Sequence, residues 1–257
     1  MSSSRPVIVD HFAFSFKFTE LRFLQGFEDS RSPEFYAPLP KPHYLKVKDP
    51  AARALALEGY QDAFRAVLAA RLEGFLWHKL GFKSSPMRGR GLHGYRDSFV
   101  LFDKTGKIEC GLVGVGGNAD TVYVQLSGVG CKYLRARLDW SVVHGYLTSV
   151  FKCFSLSRLD LAVDDFDGIF DAKYARTAWL DNCFRTSNRG QAPKADPIYR
   201  LLPNSTQEEL TAFCVGSRKS AIYWRVYNKK IEQGLEDQAE LTWWRNEVEL
   251  KKCNVDL

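Results

Sequence analysis

The heptapeptide from Tyr223 to Lys229, Y-W-R-V-Y-N-K, carries the residue types best suited to chemistry in this 257-residue chain. It alternates strictly. In a β-strand Tyr223, Arg225, Tyr227 and Lys229 would share one face, with Trp224, Val226 and Asn228 on the other. A phenol flanked by guanidinium and ammonium groups can attack a phosphodiester, because the cations stabilise phenolate and bind phosphate. The plain alternative is a half-exposed strand whose cations face solvent. Two further segments alternate in the same way. In S-R-L-D-L-A-V-D-D, residues 157–165, Leu159, Leu161 and Val163 oppose Arg158, Asp160, Ala162 and Asp164. In W-R-N-E-V-E-L-K, residues 244–251, Arg245, Glu247 and Glu249 oppose Asn246, Val248 and Leu250. Each strand thus presents two carboxylates and an arginine on one face. Like charges on one face repel unless a cation sits among them. A hard divalent ion such as Mg²⁺ or Mn²⁺, held by these oxygens, would serve. So would a solvated face laced with arginine–carboxylate pairs.

The order of these segments carries a resemblance. V-Q-L-S-G-V-G-C at 124–131, R-L-D-L-A-V-D at 158–164, F-C-V-G-S-R-K-S at 213–220, R-V-Y-N-K at 225–229 and R-N-E-V-E-L-K at 245–251 together resemble the replication initiation factor family. These are the trans-acting Rep proteins of rolling-circle plasmids and filamentous phages. The likeness runs from about Val7 to Lys252. It implies a site-specific endonuclease and strand transferase in which a tyrosine nicks one strand of origin DNA and stays joined to the 5′-phosphate, with carboxylates holding Mg²⁺ or Mn²⁺. By motif match the nucleophile falls on Tyr227, with Tyr223 as its rival, and Arg225 and Lys229 as phosphate clamps. The metal ligands would come from Asp160, Asp164, Glu247 and Glu249. Ser217, Arg218, Lys219, Ser220, Lys230, Arg158 and Arg245 are the expected DNA contacts. Relatives are often longer, which leaves room for a further C-terminal segment recruiting host helicase or polymerase. A homodimer on an inverted repeat would suit such a nickase.

Composition agrees with that reading. The net charge is +6 and the pI about 8.9, a mild excess that suits a nucleic-acid partner. Between Arg218 and Lys230 there are five cations and no acid, and Arg185, Arg189 and Lys194 add charge upstream. Six scattered cysteines form no C-x-x-C and meet no paired histidines, which argues against zinc. Reduced thiols in a bacterial cytoplasm are the simplest reading. The start, M-S-S-S-R-P, has no apolar signal core, and no apolar run approaches a membrane span.

The elements that must position these residues read as α+β, a mostly antiparallel central sheet flanked by helices. A disordered tail is expected at 1–6, then one catalytic nicking domain over 7–257. It reads as two β-α-β-β halves of about 7–135 and 136–257. Strands are expected at 7–18, 98–102, 108–115, 121–126, 155–164, 211–216, 221–229 and 241–252. A long helix starts at Asp49-Pro50 and stops at Gly81. Shorter helices are expected at 140–153 and 171–184, the latter with Tyr174, Ala178, Trp179 and Cys183 on one face. Residues 24–48 and 185–208 read as loops, 114–117 as a hairpin turn and 127–130 as a turn. Two other functions remain open on the residues: a conjugative relaxase with the same chemistry, and a non-catalytic single-strand DNA-binding module. A nuclease that activates water instead of tyrosine is a further rival.

Overall fold

The computed structural model describes residues 5–17, 40–151, 154–184, 193–201 and 206–253. Of the polar stretch expected as a loop, 185–192 and 202–205 lie outside the described residues, Arg185 and Arg189 among them. The chain divides into two compact units, one of residues up to Phe12 together with 156–254, the other of 13–155. Strand β1 (Ile8–Lys17) contributes its first half to one and its second half to the other. The class is α+β, and the ladders described below are antiparallel.

In the unit of residues 13–155, helix α1 (Pro50–Phe75) begins as expected: Asp49 caps it, its carboxylate accepting from Ala52 N at 2.7 Å. A single wider turn over Leu76–Leu80 follows, and Gly81 ends it at φ 79°. Leu72, Phe75, Leu76 and Leu80 are buried, whereas Leu55 is exposed. Phe151 stacks among Phe14, Phe16 and Phe75 with ring centroids 4.1–5.6 Å apart, the aromatic centre of this core. Strands β2 (Lys83–Ser84), β3 (Asp97–Phe102), β4 (Glu109–Val115) and β5 (Thr121–Leu126) pair in that order. The β4–β5 connection turns at Gly116 and Gly117, both at positive φ, as the G-V-G-G run implied.

The β3–β4 turn is held by one carboxylate. Asp103 accepts from Thr105 Oγ1 at 2.7 Å and from the backbone N–H of Lys107 and Ile108 at 2.9 Å each. The Ile108 bond leads the set that holds its pKa down to about 2. A depressed carboxylate stabilises the fold above its ordinary pKa, near 4, and loses that contribution as pH falls through the folded value. The stability gap between the protein and Asp103→Ala should therefore close between pH 4 and 2, measured by denaturant unfolding. A gap that stays constant over that range would contradict the assignment.

Residues 127–130 depart from expectation. They open helix α2 (Gly128–Arg135) rather than forming a free turn, because Ser127 acts as its cap. Ser127 Oγ accepts from Gly130 N and donates to Cys110 O at 3.1 Å, binding the helix start to β4. A Cβ on Gly130 would lie 1.9 Å from Cys110 O. Gly130→Ala should therefore destabilise the protein by about 2–3 kcal/mol in thermal unfolding, while Val129→Ala at an exposed neighbouring position should not. Helix α3 (Trp140–Val150) completes the unit, three residues shorter than expected at its end.

In the other unit the strand order is β6 (Ser155–Asp165), β10 (Trp244–Cys253), β9 (Ile222–Asn228), β8 (Glu208–Gly216), β7 (Ala195–Leu201), with β1 beside β6. Strand β7 lies in the stretch read as loop. It sits at the end of the order, is mostly exposed and contains Pro197, which an edge strand tolerates, so neither burial nor alternation marked it. Helix α4 (Ala172–Leu180) covers the apolar face of β8 and β9. Its inward residues are Ala172, Ala175 and Trp179, at i, i+3 and i+7. Tyr174 and Cys183, expected on one face with Ala178 and Trp179, are exposed, because two alanines let the helix approach more closely than a tyrosine would. Phe213, Val215, Val226, Trp224 and Trp244 complete this core. β9 ends one residue earlier than expected: Asn228 caps the short helix α5 (Lys229–Glu232), its side chain accepting from Ile231 N at 3.1 Å, and Lys229 leaves the strand. Among the described residues no helix is long and apolar enough to cross a membrane.

Candidate active site on the polar face of β6, β10 and β9

Strand β10 lies between β6 and β9, and its register sets the site. Arg245 pairs with Asp164 on one side and Tyr227 on the other. Glu247 pairs with Ala162 and Arg225, and Glu249 with Asp160 and Tyr223. Alternation therefore brings the polar residues of all three segments onto one face, opposite the core under α4. Lys251 pairs with Arg158 at the far end.

The carboxylates on this face are deeply placed. Asp160 and Glu247 are each 2% exposed and Glu249 is 4% exposed. Buried charges persist only when paired. Here cations and a phenol supply partners. Arg158 reaches Asp160 through Nε at 2.8 Å and Nη2 at 2.5 Å, and lies 3.1 Å from Glu249. Lys251 Nζ lies 2.5 Å from the other Glu249 oxygen. Arg245 donates to both oxygens of Asp164, at 2.7 and 2.8 Å, and to Asp10 at 3.0 Å. Burial opposes the ionised Asp164, yet the Arg245 hydrogen bonds and charge hold its pKa below the usual carboxylate value. Asp10 and His11 enter from β1. Burial, then the charge of Arg158, lowers the His11 pKa to about 4, so the imidazole stays neutral at physiological pH beside these ions.

The two tyrosines differ. Tyr223 is 8% exposed, and burial, followed by interaction with Cys214, pushes its phenol up to about 12. Tyr227 is half-buried. Its hydroxyl donates to Glu247 Oε2 at 3.0 Å, and Arg225 donates to the opposite oxygen of the same carboxylate. The Arg225 and Lys229 cations lie 5.5 Å from the centre of the Tyr227 ring. Burial and the Glu247 charge raise the Tyr227 phenol well above its ordinary value. A hydrogen-bonded phenol, a carboxylate able to take its proton and a guanidinium able to meet phosphate thus occupy adjoining positions on two paired strands.

The expected site residues fare differently. Tyr227, Arg225, Glu247, Glu249, Asp160 and Asp164 share the face. Lys229 reaches it from α5 and pairs with Glu232. Arg245, expected at DNA, is 7% exposed and spends its guanidinium on Asp164 and Asp10, so it acts as an internal counterion. Arg158 is partly exposed but engaged with two acids. Ser217 and Ser220 hydrogen-bond each other at 2.9 Å across the β8–β9 turn, and Lys251 donates to the Arg218 carbonyl. That turn adjoins Tyr223 at the opposite end of β9 from Tyr227, about 13 Å along the strand. Lys230 is half-buried in α5. Among the described residues no three acidic, histidine or cysteine side chains converge as metal ligands do. Asp10 and His11 were missed from the sequence. Their signal was a polar pair interrupting an otherwise apolar alternating strand.

The profile of the replication initiation factor family matches residues 154–257. A solved structure of a rolling circle replication initiator protein from Geobacillus stearothermophilus is similar in fold, with a TM-score of 0.58 and 18% identity over 96% of this chain and 75% of that one. No curated protein sequence matches. The profile match spans the strands that carry the site, and the solved structure shares the fold.

Proposed function

We propose, from the replication initiation factor match over residues 154–257, that this protein initiates rolling-circle replication by nicking and rejoining one strand of origin DNA through Tyr227. The observation that carries the reading is the hydrogen bond from Tyr227 to Glu247, with Arg225 on the other carboxylate oxygen. The raised phenol pKa means that no phenolate stands ready, so the proton must leave as the bond forms. Tyr227 Oη attacks phosphorus in line and the phenolic proton passes to Glu247 Oε2. The P–O3′ bond breaks, and the departing 3′-oxygen takes a proton from solvent and becomes a primer hydroxyl. The tyrosyl phosphodiester keeps the bond energy, so the reverse attack by a 3′-hydroxyl reseals the strand without ATP, with Glu247 returning the proton. Arg225, part-exposed, meets the nonbridging oxygens together with Lys229. The partner is origin DNA and the working compartment the cytoplasm of a bacterial host.

The donors fit a hard divalent ion in kind: carboxylate oxygens on neighbouring strands beside a neutral imidazole. Asp160, Asp164, Glu247 and Glu249 would hold it in exchange for their present partners, since Arg158 occupies both oxygens of Asp160 as Arg245 occupies both of Asp164. When bound, Mg²⁺ or Mn²⁺ supplies charge neutralisation at a nonbridging phosphate oxygen and at the leaving 3′-oxygen.

Incubation with Mg²⁺ or Mn²⁺ and a labelled oligonucleotide from the replicon's origin, followed by a denaturing gel, tests the reading. Label migrating with the protein supports it. Free cleaved product with Tyr227→Phe still active points to water attack. Binding without cleavage points to a non-catalytic module.

A further inference from the structure

The polar face does not end at Tyr227. Extending the β6–β10 register by one residue beyond the Trp244–Asp165 pair brings Phe166 opposite Trp243. Their ring centroids lie 5.7 Å apart at 28°, a stacked pair. By parity both belong to the face that carries Asp164 and Arg245, whereas Trp244 and Trp224 turn to the core beneath α4. Phe166 nevertheless remains 55% exposed, and an aromatic left open beside a charged site is not explained by core packing. Its position is fixed from below. Asp165 is fully buried and accepts from Phe170 N at 2.7 Å and Asp167 N at 3.1 Å, and Arg5 lies 2.8 Å from the same carboxylate. Trp243 is fixed from the other side: its carbonyl accepts from Lys229 N at 2.8 Å, tying it to the residues just after Tyr227. The pair therefore sits one same-face step, about 7 Å, from the Asp164–Arg245–Tyr227 row, with the Lys229 and Lys230 backbone N–H groups on the Trp243 carbonyl.

We infer that the Phe166–Trp243 pair is a stacking platform for an unpaired base of the DNA strand held at Tyr227, with the base lying on the open face of Phe166. The inference rests on the nicking function proposed above. A flat π-face accepts any base, so the platform holds single-stranded DNA without choosing sequence. It excludes duplex, whose bases are already stacked. An unpaired base captured beside Tyr227 keeps the neighbouring phosphate in an extended, unpaired strand.

Fluorescence anisotropy with labelled decathymidylate, and with a ten-base-pair duplex as the second probe, tests this. Phe166→Ala and Phe166→Leu should each weaken decathymidylate binding by about five- to 150-fold and leave duplex binding unchanged. The leucine variant keeps the apolar volume and the melting temperature, so loss of fold is separated from loss of the π-face. Wild-type decathymidylate affinity in Phe166→Leu, or an equal loss for both probes, overturns the platform. The covalent-adduct assay is run in parallel. Absence of an adduct alongside Phe166-dependent single-strand binding removes the nicking reading and leaves the platform standing. An adduct without Phe166-dependent binding does the reverse.

Discussion

Tyr227→Phe is expected to abolish the covalent protein–DNA adduct, lowering its formation by about four orders of magnitude or more, as loss of a nucleophile does elsewhere. The substitution removes one oxygen and little else. The phenyl ring keeps its place between the Arg225 and Lys229 cations, and Glu247 keeps its bond to Arg225. Folding and DNA affinity should therefore persist, and the loss is chemical. Tyr223→Phe should retain the adduct within about tenfold, because Tyr223 is buried and lies toward the β8–β9 turn. Denaturing gels with 5′-adduct label, followed by mass spectrometry of the digested conjugate, locate the attached nucleotide. Label found on Tyr223, or undiminished in Tyr227→Phe, would sink the assignment.

Glu247→Gln should slow adduct formation by about 10²- to 10⁴-fold. The amide keeps the shape of the side chain and can still accept from Tyr227 or Arg225 but cannot take the phenolic proton. The carboxylate charge is also one of the reasons the phenol is so weak an acid. Removing it should lower the Tyr227 pKa while lowering the rate, two changes that a purely structural role would not join. Fluorotyrosine at position 227, followed by ¹⁹F NMR titration, reads the first change. A pH–rate profile reads the second: the glutamine variant should gain rate as pH rises, because solvent base must replace the lost acceptor. Equal rates for glutamate and glutamine at every pH would remove Glu247 from proton transfer. Glu247→Ala adds a stability cost of about 2–4 kcal/mol, because Arg225 loses its partner, tempered by the part-exposure of the guanidinium.

The strands that carry the chemistry were legible because their alternation is local: two residues apart in sequence means one face in space, whatever surrounds the strand. The same holds for the Asp49 cap and the Gly81 stop, where a side chain meets backbone a few residues away. Strand β7 was missed because an exposed edge needs no apolar face, and the start of α2 because Ser127 binds both its own helix and Cys110 on a distant strand.

Within the site, residue types were visible and their partners were not. Two carboxylates and an arginine per strand called for a counter-cation, and four acids looked equivalent. Register made them unequal. Arg245 holds Asp164 across 81 residues and Asp10 across 235, so a basic residue expected at DNA became a buried counterion. Glu247, read as a metal ligand, was set beside Tyr227 by the β9–β10 ladder. The Phe166–Trp243 stack arises from the same ladder on the other side. Charge pairing among buried groups depends on contacts of a few ångströms between segments far apart in the chain, and no spacing along one strand encodes which neighbour will lie across from it.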